Sequence, residues 1–153
     1  MKTSRYPQPA LSLLCPMILS LALAGCMSVQ LIADYDQKID DGVTALQKKT
    51  ETFLVALERT CETPEGAYAR HVPFYDEVKV DLAALQVRAD AIARNSLTSQ
   101  QIQSLRDSIA KMEAQHKQGL RPIVIAETRK ILNSEFTAIL ALEVAKKKTP
   151  TSK

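Results

Sequence analysis

Residues 98–119 read TSQQIQSLRDSIAKMEAQHKQG. Ile102, Leu105, Ile109, Met112 and His116 recur there in steps of three and four. That repeat lays one mostly apolar stripe along a helix and leaves the other faces polar. The segment also carries its own ends. Thr98 and Gln101 fit a capping box, in which a hydroxyl and an amide satisfy free N–H groups of the first turn. Gly119 suits the C-terminus, because glycine tolerates the left-handed backbone found there. A helix of this kind must bury its stripe against other elements, so its flanks decide the fold.

Both flanks repeat the pattern. Upstream, a helix from about Phe74 to Arg94 places Tyr75, Val78, Leu82, Leu85, Ala89 and Ile92 at 3-4-3-4-3 spacing, and Asn95-Ser96 ends it. Downstream, Pro122 fits the first turn of a helix, where its missing N–H costs nothing. That helix carries Ile125, Leu132, Phe136 and Ile139, widened by Val124, Ile131 and Leu142, and ends near Lys146-Lys147-Lys148. The earliest and longest pattern runs from Ser28 to about Arg59. Ile32, Ile39, Leu46 and Phe53 recur every seven residues, with Val43, Thr50 and Leu57 on the neighbouring edge and Tyr35 beside them. This is a coiled-coil-like seam. Thr63-Pro64-Glu65-Gly66 breaks it, and Tyr68, His71, Phe74 and Tyr75 crowd the far end of the break. Four amphipathic helices with mostly short connections predict an all-α, antiparallel up-and-down four-helix bundle over residues 31–148. The length of the first helix leaves room for it to protrude as a stalk. Residues 149–153 read as a loose tail.

The start of the chain has a different character. Lys2 and Arg5 precede a mostly apolar run from Ala10 to Ala24, and no acidic residue occurs before Asp34. That is the layout of a secretory signal peptide, here residues 1–25. The run is too short to cross a bilayer as a stable helix, which takes about 20 apolar residues. Leu23, Ala24, Gly25 and Cys26 resemble the bacterial lipobox at all four positions. The resemblance implies cleavage before Cys26 and a diacylglyceryl group on its thiol, often with a further acyl chain such as palmitate on the new amine. Each buried methylene adds about 0.8 kcal/mol, so two or three chains make a firm anchor. Residues 26–30 would then be a lipidated linker. Met27 stands where Asp favours the inner membrane in the family, so the resemblance points to the outer membrane, facing the periplasm, with the inner membrane as the alternative. Ala33-Asp34-Tyr35-Asp36, Ala45-Leu46-Gln47-Lys48, Phe74-Tyr75-Asp76-Glu77-Val78 and Leu142-Glu143-Val144-Ala145-Lys146-Lys147 are similar to stretches of small helical lipoproteins of Gram-negative bacteria. That similarity brings no biochemical activity with it.

Cleavage changes the balance of charge and thiols. Removing 25 residues from 153 leaves 128, the size of one domain. Lys2 and Arg5 go with the leader, so 18 of the 20 basic side chains face 17 acidic ones. The basic pI of the whole chain therefore says little about nucleic acid or a charged substrate, and a periplasmic protein meets little nucleic acid, so none is expected as a partner. Of three cysteines, Cys15 leaves and Cys26 carries lipid, so Cys61 stands alone and the fold must rest on its core. The chain has no tryptophan and few aromatic residues, which disfavours sugar and haem sites.

The chemistry-bearing motifs are fragments. Glu113-Ala114-Gln115-His116 reads E-x-x-H, half of a di-iron bundle signature, but the full site needs a second such pair and two further glutamates. His116 otherwise closes the core stripe. Cys61 and His71 flank one loop, yet a nucleophile also needs an orienting partner and a donor pocket. Neither motif supports catalysis, a metal or a cofactor. Lys153 matches the last residue of the major peptidoglycan-linked lipoprotein, although that family has one uninterrupted coil. The expectation is therefore a non-enzymatic protein, membrane-anchored through Cys26. It would hold an envelope protein or peptidoglycan partner, with Tyr68, His71, Phe74 and Tyr75 and the outer face of the first helix as the contact surface. The competing expectation is a periplasmic bundle that binds a small ligand or metal. The aromatic residues, taken singly, can equally cap the core.

Overall fold

The computed structural model describes residues 32–148. The leader, Cys26, the linker and the tail lie outside the described residues. Four helices follow in order: α1 Gln37–Thr60, α2 Val72–Ala91, α3 Ser96–Lys117 and α4 Pro122–Lys148. Two 3-10 turns, Pro64–Gly66 and Tyr68–Arg70, bridge α1 and α2. No strand occurs among the described residues. Helix α1 packs on α2 and α4, and α3 packs on the same two, so chain neighbours are spatial neighbours. This is an up-and-down four-helix bundle.

The stripes point inward as their spacing requires. Ile39, Val43, Leu46, Thr50, Phe53 and Leu57 of α1 are buried, as are Tyr75, Val78, Leu82, Leu85 and Ala89 of α2. Ile102, Leu105, Ile109, Met112 and His116 of α3 and Ile125, Leu132, Phe136 and Ile139 of α4 are buried as well. Ion pairs tie the outer edges. Arg129 of α4 reaches Glu51 and Glu58 of α1 at 3.3 and 2.9 Å, and Lys49 of α1 reaches Asp81 of α2 at 2.7 Å.

Several helix boundaries differ from the sequence expectation. Helix α1 does not start at Ser28, because residues 33–36 are not helical. Asp36 is extended, at φ −121° and ψ 107°, and its carboxylate accepts the Ile39 N–H at 2.9 Å. Aspartate caps a helix better than it continues one, so the helix begins one residue later. At 24 residues α1 is shorter than α4, with 27, and its buried residues run from Ile39 to Leu57. The described part of α1 therefore has no protruding stalk. Helix α2 stops at Ala91 rather than Arg94. The chain must reverse there, with Ile92 extended and Arg94 left-handed at φ 62°. The expected capping box is absent: Asn95 precedes α3, and Thr98 lies buried within its first turn. Gly119, at φ 95°, ends α3, and Pro122 opens α4, both as expected.

Candidate functional site

One end of the bundle gathers the C-terminus of α1, the two 3-10 turns, the start of α2 and the end of α3. Its centre is His116, 3% exposed. The α3 stripe carries the imidazole inward, where its Nε2 lies 2.8 Å from the Gly66 carbonyl and its Nδ1 lies 2.9 Å from the Tyr75 hydroxyl. A carbonyl only accepts, so Nε2 holds the proton and Nδ1 accepts from Tyr75. Burial pushes the His116 imidazole below its usual pKa, as does the nearby His71, against the opposing pull of the Gly66 bond. His71 donates from Nε2 to the Glu65 carbonyl at 2.9 Å. The two imidazoles stack with centroids 5.5 Å apart. The chain's two histidines thus hold two consecutive carbonyls of one turn.

That turn is pressed onto the backbone of α1. A Cβ on Gly66 would fall 2.2 Å from the Thr60 carbonyl oxygen, so only glycine fits. Aromatic rings close the rest. Phe53 stacks on Phe74 at 3.7 Å and meets His71 edge-on at 5.2 Å. Tyr68 donates to Glu113 at 2.8 Å, and Lys79 and Lys117 reach the same carboxylate at 2.8 and 3.2 Å. Burial alone would raise Glu113, but the hydrogen bonds from Lys79, Tyr68 and Lys117 outweigh it and hold the carboxyl down to about 2.

The structure brings the four aromatic-loop residues together but divides them between core and surface. Tyr75 is wholly buried, so it cannot belong to a contact surface. It sits there because α2 begins at Val72 and carries Tyr75 on the core stripe. Tyr68, His71 and Phe74 are half-buried and seal the end of the core. Glu113 and His116 have internal partners, and among the described residues no group of three or more His, Cys, Asp or Glu is placed to hold a metal. Cys61 and His71 form no reactive pair. The His71 Nε2 is engaged with Glu65, and burial, helped by Glu62, pushes the Cys61 thiol up rather than down. A reactive cysteine needs the opposite shift.

The other end holds a cluster that sequence reasoning missed. Glu143 and Lys146 continue the α4 stripe from Ile139 and are buried, with Nζ and Oε1 2.6 Å apart. The Lys146 ammonium also donates to Asn95 Oδ1 at 2.6 Å and Thr98 Oγ1 at 2.7 Å. The Thr98 hydroxyl donates to Glu143 at 3.1 Å, and the Asp36 N–H reaches the second Glu143 oxygen at 3.3 Å. Arg88 grips both Asp36 oxygens at 2.7 Å, a bidentate pair that joins α2 to the cap of α1. That hydrogen bond, against a partial desolvation, holds the Asp36 carboxyl below the usual carboxylate range. The 3-4 spacing of Ile139, Glu143 and Lys146 was the available signal, masked by the basic run that follows.

On the outside, α3 and α4 leave an open groove of about 260 Å³ with Met112, Val124, Ile131 and Leu132 in its walls. Ile123 and Ile131 beside it are 61% and 52% exposed. No family model, curated protein or solved structure matches this chain.

Proposed function

We propose that this chain is a non-enzymatic, lipid-anchored envelope protein, held at the outer membrane through Cys26, whose bundle engages a protein or peptidoglycan partner. The observation that carries this reading is where the chemistry-bearing side chains sit. Glu113, His116, Glu143 and Lys146 are all buried and engaged in internal hydrogen bonds. Groups bonded in this way fix helices against one another instead of facing a substrate. The lipobox at Leu23 to Cys26 supplies the anchor, and no described helix is long and apolar enough to cross a membrane. The surface instead offers apolar contact area. Ile123 and Ile131 flank the α3–α4 groove and are the apolar side chains there that a partner can cover.

The test combines anchoring with contact. A photo-crosslinking residue in place of Ile131 is activated in intact cells, in the wild-type background and with Cys26→Ser. Acyl chains on Cys26 and one discrete protein or glycan adduct, both lost with Cys26→Ser, are expected. An unlipidated wild-type protein would refute the anchor. A lipidated protein with no adduct but a stoichiometric small molecule or metal would replace the scaffold with a binding bundle.

A further inference from the structure

We infer that His116 is the centre of an acid-released latch, which holds the connection between α1 and α2 over the aromatic end of the core at neutral pH and lets it go when this buried imidazole charges. The latch does not depend on the anchor or on any partner.

The geometry admits a neutral His116 well and a charged one poorly. With Nε2–H on the Gly66 carbonyl, the remaining nitrogen of His116 accepts the Tyr75 hydroxyl. A proton added at that nitrogen faces the Tyr75 hydroxyl hydrogen. Tyr75 must then turn to accept, and its own hydrogen loses its partner in a site where the ring is wholly buried.

The neighbours do not offset this. From α1 comes the uncharged Phe53 ring, and from the end of that helix the Cys61 thiol, held neutral by burial. From the 3-10 connection come Tyr68 and His71. From α2 come Tyr75 and Lys79, and from α3 itself Glu113 and Lys117. Glu113 is the anion of the group, and two lysines and the Tyr68 hydroxyl already occupy it.

The sign follows from linkage. A histidine whose folded state resists the proton contributes stability above the ordinary imidazole pKa, about 6.5, and loses it as pH falls below that value. The loss is the cost of a cation in a buried site, and it is relieved when the turn that covers His116 lifts and lets water reach the ring. Release frees the Glu65 and Gly66 carbonyls and uncovers the Phe53 and Phe74 rings.

Amide hydrogen exchange on the full chain in detergent micelles tests the latch, with rates corrected for intrinsic chemistry. The Gly66, Ala67, Arg70 and His71 amides are bonded within the connection and report its opening. Between about pH 8 and about pH 5, the window in which imidazole charges, their protection should fall roughly tenfold or more. Ile109 and Ile139 should keep theirs. His116→Gln keeps a donor for Gly66 and never charges, so it should flatten the response. If that variant does not fold, the wild-type imidazole resonances decide, since the midpoint of opening must coincide with the His116 titration. Constant protection across the range, an equal fall in His116→Gln, or a midpoint away from that titration would overturn the latch.

Discussion

Lys146→Met is the sharpest probe of how the bundle is held at the Asp36 end. The substitution keeps the length of the side chain and removes its charge. Three bonds of 2.6, 2.7 and 2.6 Å disappear, to Asn95, Thr98 and Glu143. Glu143 stays, 0% exposed, with the Thr98 hydroxyl and a 3.3 Å contact from the Asp36 N–H as its partners. Removing one member of a buried ion pair costs about 3–5 kcal/mol, chiefly because the other charge is left uncompensated. A domain of this size holds about 5–15 kcal/mol in all, so the variant loses a large share of its stability. In urea, with a slope of about 2 kcal/mol per molar, a loss of about 4 kcal/mol lowers the midpoint by about 2 M.

The double variant Glu143→Leu/Lys146→Met separates the cost of an unpaired charge from the worth of the pair. It removes both charges and leaves Asn95 Oδ1 and the Thr98 hydroxyl short of a partner, at about 1–3 kcal/mol. It should therefore be more stable than Lys146→Met alone, by at least about 1 kcal/mol, which is a non-additivity of the kind expected for groups in contact. The reasoning fails if Lys146→Met shifts the urea midpoint by less than about 0.5 M, or if the double variant is as unstable as the single one.

Three further outcomes follow from particular contacts. Thr50 is 1% exposed and its hydroxyl has no hydrogen-bond partner among the described residues, so Thr50→Val should raise stability by about 1 kcal/mol in the same urea assay. Gly66→Ala drives a methyl to 2.2 Å from the Thr60 oxygen, and should cost about 1–3 kcal/mol and loosen the Cys61–His71 amides selectively in hydrogen exchange. Glu113, held down to about 2 by its hydrogen bonds, contributes stability that is present above the ordinary carboxyl range and lost as pH falls toward 2. Glu113→Gln should therefore flatten the acid limb of a thermal-melting profile between about pH 4.5 and pH 2, and an unchanged limb would deny the carboxyl that role.

Much of the fold was legible because a helix stripe is written in spacing alone. Steps of three and four named the buried faces of all four helices, His116 included. What spacing cannot show is the identity of distant partners. Gly66 lies 50 residues from His116. Only the folded chain brings that carbonyl to the imidazole. Tyr75 could be read both as a stripe residue and as part of an aromatic surface, and the two readings conflict. The start of α2 at Val72 resolves them in favour of the stripe. Glu143 and Lys146 were hidden differently. Their positions continue the stripe, but a charged pair near a terminal lysine run reads as a solvated helix end. Only mutual neutralisation, with Thr98 and Asn95 completing the bonds, lets both be buried. The helix starts went astray for a related reason. Asp36 and Asn95 each stand before a helix with side chains engaged by other helices, and Thr98, which fits a local cap, is drawn into the core by Glu143 instead.

The two ends therefore differ in kind, and acid should take them apart in order. At one end, Asp36 before α1, Arg88 of α2, Asn95 and Thr98 at the start of α3 and Glu143 and Lys146 of α4 form one connected set. Residues 33–36 run beside that set, so unwinding the first turn of α1 from its start first breaks the Arg88 pair and the Glu143 contact. Asp36 resists protonation, so its contribution is full above the ordinary carboxylate range and is lost only as pH falls through that range. At the other end, the turn covers His116, whose burial resists the proton, so its contribution is lost as pH falls below about 6.5. A pH titration followed by hydrogen exchange should show the Cys61–His71 connection opening first. The Ala33 amide, bonded to the Arg94 carbonyl at 3.1 Å beside the Asp36 set, should stay protected until carboxylates protonate. Simultaneous loss at both ends would mean that the bundle responds to acid as one unit, and that the division between a fixed end and a releasable one does not exist.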